Sequence, residues 1–196
     1  YVLVLLFLDK ENILEMSNIS THYLGLELTG PVIAGSSNFT SNVKSIVEAE
    51  SAGAAAVVLK SLFEEQILAQ SYESAPESGY PEAGDYLAWY TRNNSVDNYL
   101  DLISTARKSV RIPVIASINC YSGEGWTDFA RKVESAGADA LEINLFNLPV
   151  DMHQTSMQTE KVYFDLIASL RKIVKIPISV KLSNRFSNIL NVAYQV

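Results

Sequence analysis

The chain has 196 residues, of which 48% are hydrophobic and 19% charged, as is ordinary for a globular domain with a sizeable core. Its net charge of −7 and sequence pI of about 4.8 exclude the broad basic surface that nucleic-acid binding needs. One cysteine, Cys120, excludes a disulfide framework, and the two histidines lack metal-ligand spacing, so we expect a reduced, cytoplasmic protein without a metal.

The first 15 residues differ from the rest of the chain. Residues 1–8 are apolar but too short to span a bilayer, and they lack the basic start and cleavage site of a signal peptide. Met16 precedes a segment that resembles an ordinary domain start. The sequence therefore predicts a native start at Met16, with 1–15 as an upstream or non-native extension, 16–196 as the domain, and no membrane partner.

Apolar strand patterns then alternate with amphipathic helix patterns. Residues 50–56 (ESAGAAA) return as 134–140 (ESAGADA), and 111–114 (RIPV) return as 175–178 (KIPI). The glycine of the first signature suits the end of a helix, and the proline of the second stops a helix and opens a strand. These patterns predict strands at 31–34, 55–59, 113–118, 140–143 and 177–180, and helices at 41–51, 126–135, 159–174 and from about 184 to the last residue.

Five strand–helix units with near-continuous apolar strands predict a parallel sheet, either an open doubly wound sheet or a (β/α)8 TIM barrel. Counting back by two from Asn144 and Asn119 places Glu142 and Ser117 on the same faces as the asparagines. Polar residues fit better inside a barrel than in the core of an open sheet. Because a closed barrel has eight units and roughly 200–250 residues, the sequence predicts an incomplete barrel, its N-terminal portion.

Four of the predicted strands run into a polar residue: Lys60, Asn119, Asn144 and Lys181. The carboxyl ends of parallel strands meet at one edge of the sheet, where ligands bind. Two lysines and two asparagines there predict an anionic ligand rich in hydrogen-bonding groups. The lysines could instead point to solvent, form a Schiff base in an aldolase, or stabilise a reduced flavin.

Other segments could contribute to such a site. Gly35, after the first strand, would let the backbone approach a planar ligand. The aromatic segment 70–96 is either a lid or a surface excursion. Asp151 and His153 could face a substrate from the loop after the fourth strand, whereas Cys120 is expected to point away from the interior.

Five stretches together resemble the dihydroorotate dehydrogenase family of FMN-dependent barrels, and most closely its divergent, dihydroorotate dehydrogenase-like branch. In chain order they are 23–28 (YLGLEL), 31–36 (PVIAGS), 58–66 (VLKSLFEEQ), 141–144 (LEIN) and 180–183 (VKLS). The resemblance covers the chain from about residue 20 to its end. It implies a CH–CH oxidoreductase of a pyrimidine-biosynthesis type, which transfers a hydride between a small dihydroorotate-like substrate and FMN and is a homodimer at full length.

The resemblance also implies roles for residues. Ala34, Gly35 and Ser36 resemble the first-strand FMN contact, and Lys60 the lysine between flavin and substrate. Asn119 and Asn144 resemble the asparagines that hold the flavin and the orotate-like ring, and Lys181 the lysine at the flavin's pyrimidine edge. FMN binding is thus expected at all seven positions, with Lys60 and Asn144 also contacting the substrate.

The chain departs from the family in two places. Residues 144–149 are NLFNLP, where the family has roughly NLSCPN, so the Cys or Ser base is missing. Asp151, His153 or a loop tyrosine could act instead, or the substrate could differ. The last strands, which hold the FMN phosphate in the family, are also absent, so we expect the 196 residues alone to bind FMN poorly. A Schiff-base aldolase and an inactive truncated fragment are the alternative hypotheses.

Overall fold

The computed structural model describes residues 19–63, 96–120, 126–145 and 149–196, without the side chains of Cys120, Trp126 and Thr127. The predicted extension 1–15, the aromatic segment up to residue 95, loop residues 146–148 and the predicted orientation of the Cys120 thiol lie outside the described part. None of the described helices is long and apolar enough to cross a membrane.

A two-stranded antiparallel hairpin opens the described part, with strands β1 (Thr21–Tyr23) and β2 (Leu26–Leu28). Leu24 and Gly25 form its turn with φ angles of 55° and 74°. Positive φ at both positions defines a type I′ turn, whose twist matches that of the flanking strands. The hairpin was not predicted, because no Asn-Gly or Asp-Gly pair marks this turn.

All five predicted strands lie in one parallel sheet of six strands. The strands are β3 (Ile33–Ala34), β4 (Ala56–Val58), β5 (Leu62–Phe63), β6 (Val114–Cys120), β7 (Ala140–Leu145) and β8 (Ile178–Lys181). The spatial order is β3-β4-β6-β7-β8, the same as the chain order, and β5 pairs with β6 just beyond the end of β4. A doubly wound sheet reverses its strand order at a switch point, and the described sheet has no such reversal.

The helices pack on one face of this sheet. They are α1 (Val43–Ser51), α2 (Val96–Ser109), α3 (Trp126–Ser135), α4 (Ser156–Arg171) and α5 (Ile189–Gln195), with a 3-10 turn at Asn38–Ser41. The first four contribute Ile46, Ile103, Val133 and Leu170 to a single core cluster. One-sided packing with sequential strand order is the architecture of a (β/α) barrel, and it confirms the predicted fold class as a partial barrel.

The hairpin covers the opposite, inner face of the sheet. Leu28 from β2 packs with inward-facing residues of three strands, which are Ala56, Val58, Ile115 and Ala140. Tyr23 Oη also lies 3.1 Å from Ser179 Oγ on β8. The inner face is therefore apolar under the hairpin and becomes polar toward the carboxyl ends of the strands.

The two repeated signatures contact each other at the opposite, amino-terminal edge. Glu134 Oε1 accepts hydrogen bonds from the backbone nitrogens of Lys175 (2.8 Å) and Ile176 (3.2 Å). Glu50 does the same for Arg111 (2.7 Å) and Ile112 (3.2 Å). The glutamate near the end of a helix thus accepts from the backbone N–H groups that precede a later strand, which is β6 for Glu50 and β8 for Glu134.

Several predicted boundaries were wrong, and local capping explains them. α1 begins at Val43 rather than at residue 41, because Asn42 is its N-cap and the Asn42 side chain accepts from Ser45 N. The last helix begins at Ile189 rather than near residue 184, since Asn188 caps it. α4 likewise begins earlier than predicted, at a capping box formed by Thr155 and Gln158.

Candidate functional site

The strand register aligns the predicted polar residues in rows across the sheet. Asn119 on β6 pairs with Asn144 on β7, which pairs with Lys181 on β8. Two residues earlier on each strand, Ser117 on β6 pairs with Glu142 on β7. Because paired residues of parallel strands point to the same side, these five side chains share the inner face at the carboxyl edge.

The two asparagines bond to each other. Asn144 Nδ2 donates to Asn119 Oδ1 at 2.8 Å, and both residues are half-buried. Within the described part of the chain, the bond leaves the Asn119 amide nitrogen and the Asn144 carbonyl oxygen without a partner. An adjacent donor and acceptor of this kind can bind the edge of a heterocycle.

Glu142 lies beneath the asparagines as a buried acid with two partners. Its residue is only 7% exposed, and its Oε1 atom accepts from Ser117 Oγ at 3.0 Å. The same oxygen lies 2.8 Å from Lys181 Nζ. A buried carboxylate is stable only when it is paired and hydrogen-bonded, and these contacts meet both conditions.

A line of hydroxyl groups extends from Glu142 across the sheet. Ser117 Oγ lies 2.8 Å from Ser61 Oγ, which lies 3.0 Å from Ser36 Oγ. The Ser61 backbone nitrogen also donates to Ser36 Oγ at 3.0 Å. The line joins the turn after β3 to β8. Four successive polar contacts, through Ser61, Ser117 and Glu142, link the predicted contact residue Ser36 to Lys181.

Tyr99 on α2 replaces a missing strand neighbour beside Ser117. β4 ends at Val58, and the Tyr99 hydroxyl accepts from Ser117 N at 2.7 Å and donates to Ser117 O at 3.0 Å. Burial raises the pKa of Tyr99 well above its ordinary value; the bond with the Ser117 backbone lowers it, and the nearby Glu142 charge raises it. The tyrosine therefore remains a neutral hydroxyl that holds β6 in place.

The two lysines have different surroundings. Lys181 is ion-paired to Glu142, and its side chain is 50% exposed. Lys60 is exposed, and among the described residues its ammonium group has no ion pair or hydrogen bond, although its backbone nitrogen donates to Thr40 O at 3.2 Å. Lys60 is therefore the cation at this edge whose charge no described residue balances.

Gly35 follows β3 at the same edge, between Ala34 and Ser36. A Cβ atom at Gly35 would meet nothing within 4 Å, and its φ is not in the left-handed region. Neither backbone conformation nor packing within the described chain requires glycine here. The open space above Gly35 fits the predicted close approach of a planar ligand.

Asp151 and His153 do not join the network at the edge. Both are exposed, and Asp151 Oδ1 accepts from His153 N at 2.9 Å, which is a local turn contact. No hydrogen bond between described residues connects either of them to Asn119, Asn144 or the lysines. Their role as a base stays a prediction, as does any role for residues 146–148.

Sequence reasoning missed two contributors and recognised two others only in part. Ser61 and Tyr99 were not proposed for the site, and Ser117 and Glu142 were recognised only as polar residues of the interior. Alternation from Asn119 and Asn144 was the signal for the last two. No group of His, Cys, Asp and Glu suitable for a metal occurs among the described residues.

The partial (β/α) barrel defines the fold class as that of TIM-barrel proteins. An amide pair, a buried acid and two lysines lie at its carboxyl edge, which is the edge where ligands bind in this fold. Two solved structures share the fold with a TM-score of 0.50. Dihydrodipicolinate synthase from Agrobacterium tumefaciens is 12% identical, with 82% of this chain and 48% of that chain covered. An IMP dehydrogenase/GMP reductase-like protein from Corynebacterium glutamicum is 15% identical, with 91% and 46% covered.

Comparison of sequences gives a more specific similarity. The chain is 31% identical over 192 residues to the dihydroorotate dehydrogenase B (NAD(+)) catalytic subunit of Thermoplasma volcanium, and 29% identical over 187 residues to that of Thermoplasma acidophilum. Each alignment covers 91% of this chain and 58% of the relative. No protein-family model matches the chain. These relatives confirm the resemblance to the dihydroorotate dehydrogenase family that the sequence predicts.

Proposed function

We propose that this chain forms part of the flavin site of a dihydroorotate dehydrogenase-like oxidoreductase, with FMN as cofactor and a small dihydroorotate-like ring as substrate. The observation that carries the proposal is the row Asn119–Asn144–Lys181, which lies at the ligand-binding edge in a chain 31% identical to a named dihydroorotate dehydrogenase over 192 residues. Since the chain covers 58% of that relative, the activity is proposed for the whole protein.

The described residues suit a flavin in chemistry. Amide groups of Asn119 and Asn144 offer a donor and an acceptor for ring edges, and the ammonium groups of Lys60 and Lys181 suit an anionic ring. Gly35 leaves open space, and it is flanked by the other two proposed contacts, Ala34 and Ser36. FMN, when bound, supplies a ring atom that accepts a hydride from the substrate.

The chain's own residues would orient the reactants. The bond between Asn144 and Asn119 fixes both amide planes before a ligand arrives, which lowers the entropy cost of binding. We propose that Asn144 and Lys60 also contact the substrate. The charge of the Lys60 ammonium is not balanced by any described residue, so it can balance a negative charge on the substrate. The other substrate hydrogen must leave as a proton and pass to a base, for which Asp151 and His153 are the candidates.

The Schiff-base aldolase hypothesis is less well supported. A nucleophilic lysine needs a neutral amine with a free lone pair. Lys181 is held as the cation of an ion pair with Glu142, and Lys60 is exposed to solvent. Borohydride reduction in the presence of a carbonyl substrate should therefore leave both lysines unmodified by mass spectrometry. A trapped adduct at either lysine would replace the flavin proposal with the aldolase one.

The flavin proposal is tested by purifying the protein from its own reading frame and recording its visible absorption. We expect a flavin spectrum, or its appearance when FMN is added, and bleaching of that spectrum by dihydroorotate or a close ring analogue. A protein that is colourless and does not change the FMN spectrum at any concentration tested would contradict the proposal.

A further inference from the structure

We propose that Glu142 is a positioning residue that holds the Lys181 ammonium at the carboxyl edge, balances its charge and orients the hydroxyls of Ser117, Ser61 and Ser36. The ligand in this inference rests on the proposed function, whereas the geometry does not. Glu142 is buried and bonds to Ser117 and Lys181, so it acts through these neighbours.

Burial makes Glu142 unusual in the described part of the chain. Only three polar or charged residues there are buried, namely Thr40, Ser117 and Glu142, and Glu142 alone among them is ionisable. A charge in that position is retained only if its partners are good. Lys181 and Ser117 supply both partners, which ties the position of the ammonium group to the buried acid.

Counting hydrogens fixes the direction of the hydroxyl line. The Glu142 carboxylate can only accept, so Ser117 donates its single hydroxyl hydrogen to it. The contact between Ser117 and Ser61 must then use the hydrogen of Ser61, and the contact between Ser61 and Ser36 must use that of Ser36. All three hydroxyls therefore point toward Glu142, and the Ser36 oxygen, which accepts from Ser61 N, keeps one further lone pair.

The pairing of Lys181 with Glu142 gives the two lysines different roles. Lys181 and Glu142 together carry no net charge, but the ammonium keeps two further hydrogens and half of the Lys181 side chain is exposed. It can thus donate directed hydrogen bonds without adding net charge to the edge. Lys60 supplies the charge that attracts an anion. Removing the Glu142 charge should therefore strengthen the positive potential at Lys181, and removing Lys181 should leave an uncompensated acid.

Competitive acetylation of the lysines, measured by mass spectrometry without any ligand, tests the pairing. In the unmodified chain we expect Lys181 to react at least about threefold more slowly than Lys60, because its nitrogen is engaged by a carboxylate. Glu142→Gln should raise the rate of Lys181 toward that of Lys60 and leave Lys161, paired with Asp165 on α4, unchanged. An equal rate for Lys181 before and after the substitution would overturn the proposal.

Salt dependence gives a second test that needs no variant. The exposed pair of Lys161 and Asp165 should be screened between about 0.05 and 1 M salt, so that Lys161 reacts faster. Lys181 should change by less than about twofold, since its partner is buried and screened less. A rise at Lys181 equal to that at Lys161 would contradict the role of Glu142.

The reduction potential of bound FMN connects the pairing to the proposed function. The reduced ring carries an extra negative charge, so Glu142→Gln should raise the potential and Lys181→Met should lower it. We expect each single variant to change the ratio of affinities for reduced and oxidised FMN about tenfold, which corresponds to about 30 mV for two electrons. The potential of the double variant should lie near that of the unsubstituted protein. Shifts of the same sign would refute the charge-balancing role. If no FMN binds at all, the proposed function fails, and acetylation still decides the inference about Glu142.

Discussion

Asn144 donates to Asn119 across 2.8 Å, and the two amides lie on neighbouring strands at the same level of the sheet. The bond gives the site a fixed edge with a free donor on one residue and a free acceptor on the other, as far as the described residues show. It also makes the asparagine pair a sensitive position for substitution.

Asn144→Asp should weaken FMN binding by about tenfold, or about 1.4 kcal/mol. An aspartate accepts but does not donate, so Asn119 must turn its amide to keep the bond, and the new negative charge opposes an anionic ligand. Fluorescence titration with FMN measures the change. Asn191→Asp, on the exposed face of α5, is the matched control and should leave binding unchanged; equal affinities for both variants would count against the asparagine pair as a ligand contact.

Tyr99→Phe should lower the free energy of unfolding by about 1–3 kcal/mol, because it leaves the buried N–H and C=O of Ser117 without a partner. Urea unfolding measures the loss. Tyr194→Phe removes a hydroxyl from a tyrosine that is 89% exposed and should change stability by less than about 0.5 kcal/mol. If both variants are equally stable, the hydroxyl does not replace a strand neighbour.

Tyr99 also predicts a loss of stability at alkaline pH. Its pKa is raised in the folded state, mainly by burial, while in the unfolded state it lies near 10.0. The stabilising contribution is therefore complete below about pH 10 and is lost as the pH rises above that value. The difference in unfolding free energy between the unsubstituted chain and Tyr99→Phe should shrink above pH 10, which a pH series of urea curves can detect. A difference that stays constant to pH 11 would show that the folded protein ionises this tyrosine normally.

Glu134→Ala should destabilise the fold without affecting the ligand site. The half-buried carboxylate accepts from two backbone nitrogens before β8, and its loss should cost about 1–2 kcal/mol. Glu48→Ala removes an exposed acid paired with Lys44 at 4.0 Å and serves as the control, with little expected effect. FMN affinity should be the same in both variants, because Glu134 lies at the amino-terminal edge. A reduced affinity in folded Glu134→Ala would contradict this separation.

The sequence predicted the features that depend on local patterns. Two repeated signatures and the apolar runs located all five strands, and alternation placed Glu142 with Asn144 on the inner face. These are properties of neighbouring residues along the chain, so periodicity alone determines them.

The parts that escaped prediction depend on contacts between distant segments. The Tyr99 hydroxyl bonds to the backbone of β6 where the neighbouring strand is interrupted, between the end of β4 at Val58 and the start of β5 at Leu62. No pattern in α2 indicates this contact. The pairing of Glu142 with Lys181 joins strands separated by α4. The sequence placed both residues correctly, but it could not tell which of the two lysines would be neutralised.

Titration with FMN of the whole protein, purified from its own reading frame, tests the central claim most directly when Lys60→Met is compared with Lys44→Met. Among the described residues, Lys60 is the cation of the proposed site that has no ion-pair partner, whereas Lys44 is an exposed lysine on the outer helix α1. We expect saturable binding that Lys60→Met weakens by about tenfold, or about 1.4 kcal/mol, and that Lys44→Met leaves unchanged. Saturable binding with the same affinity in both variants, or no binding by the unsubstituted protein, would contradict a flavin site at the carboxyl edge of this sheet.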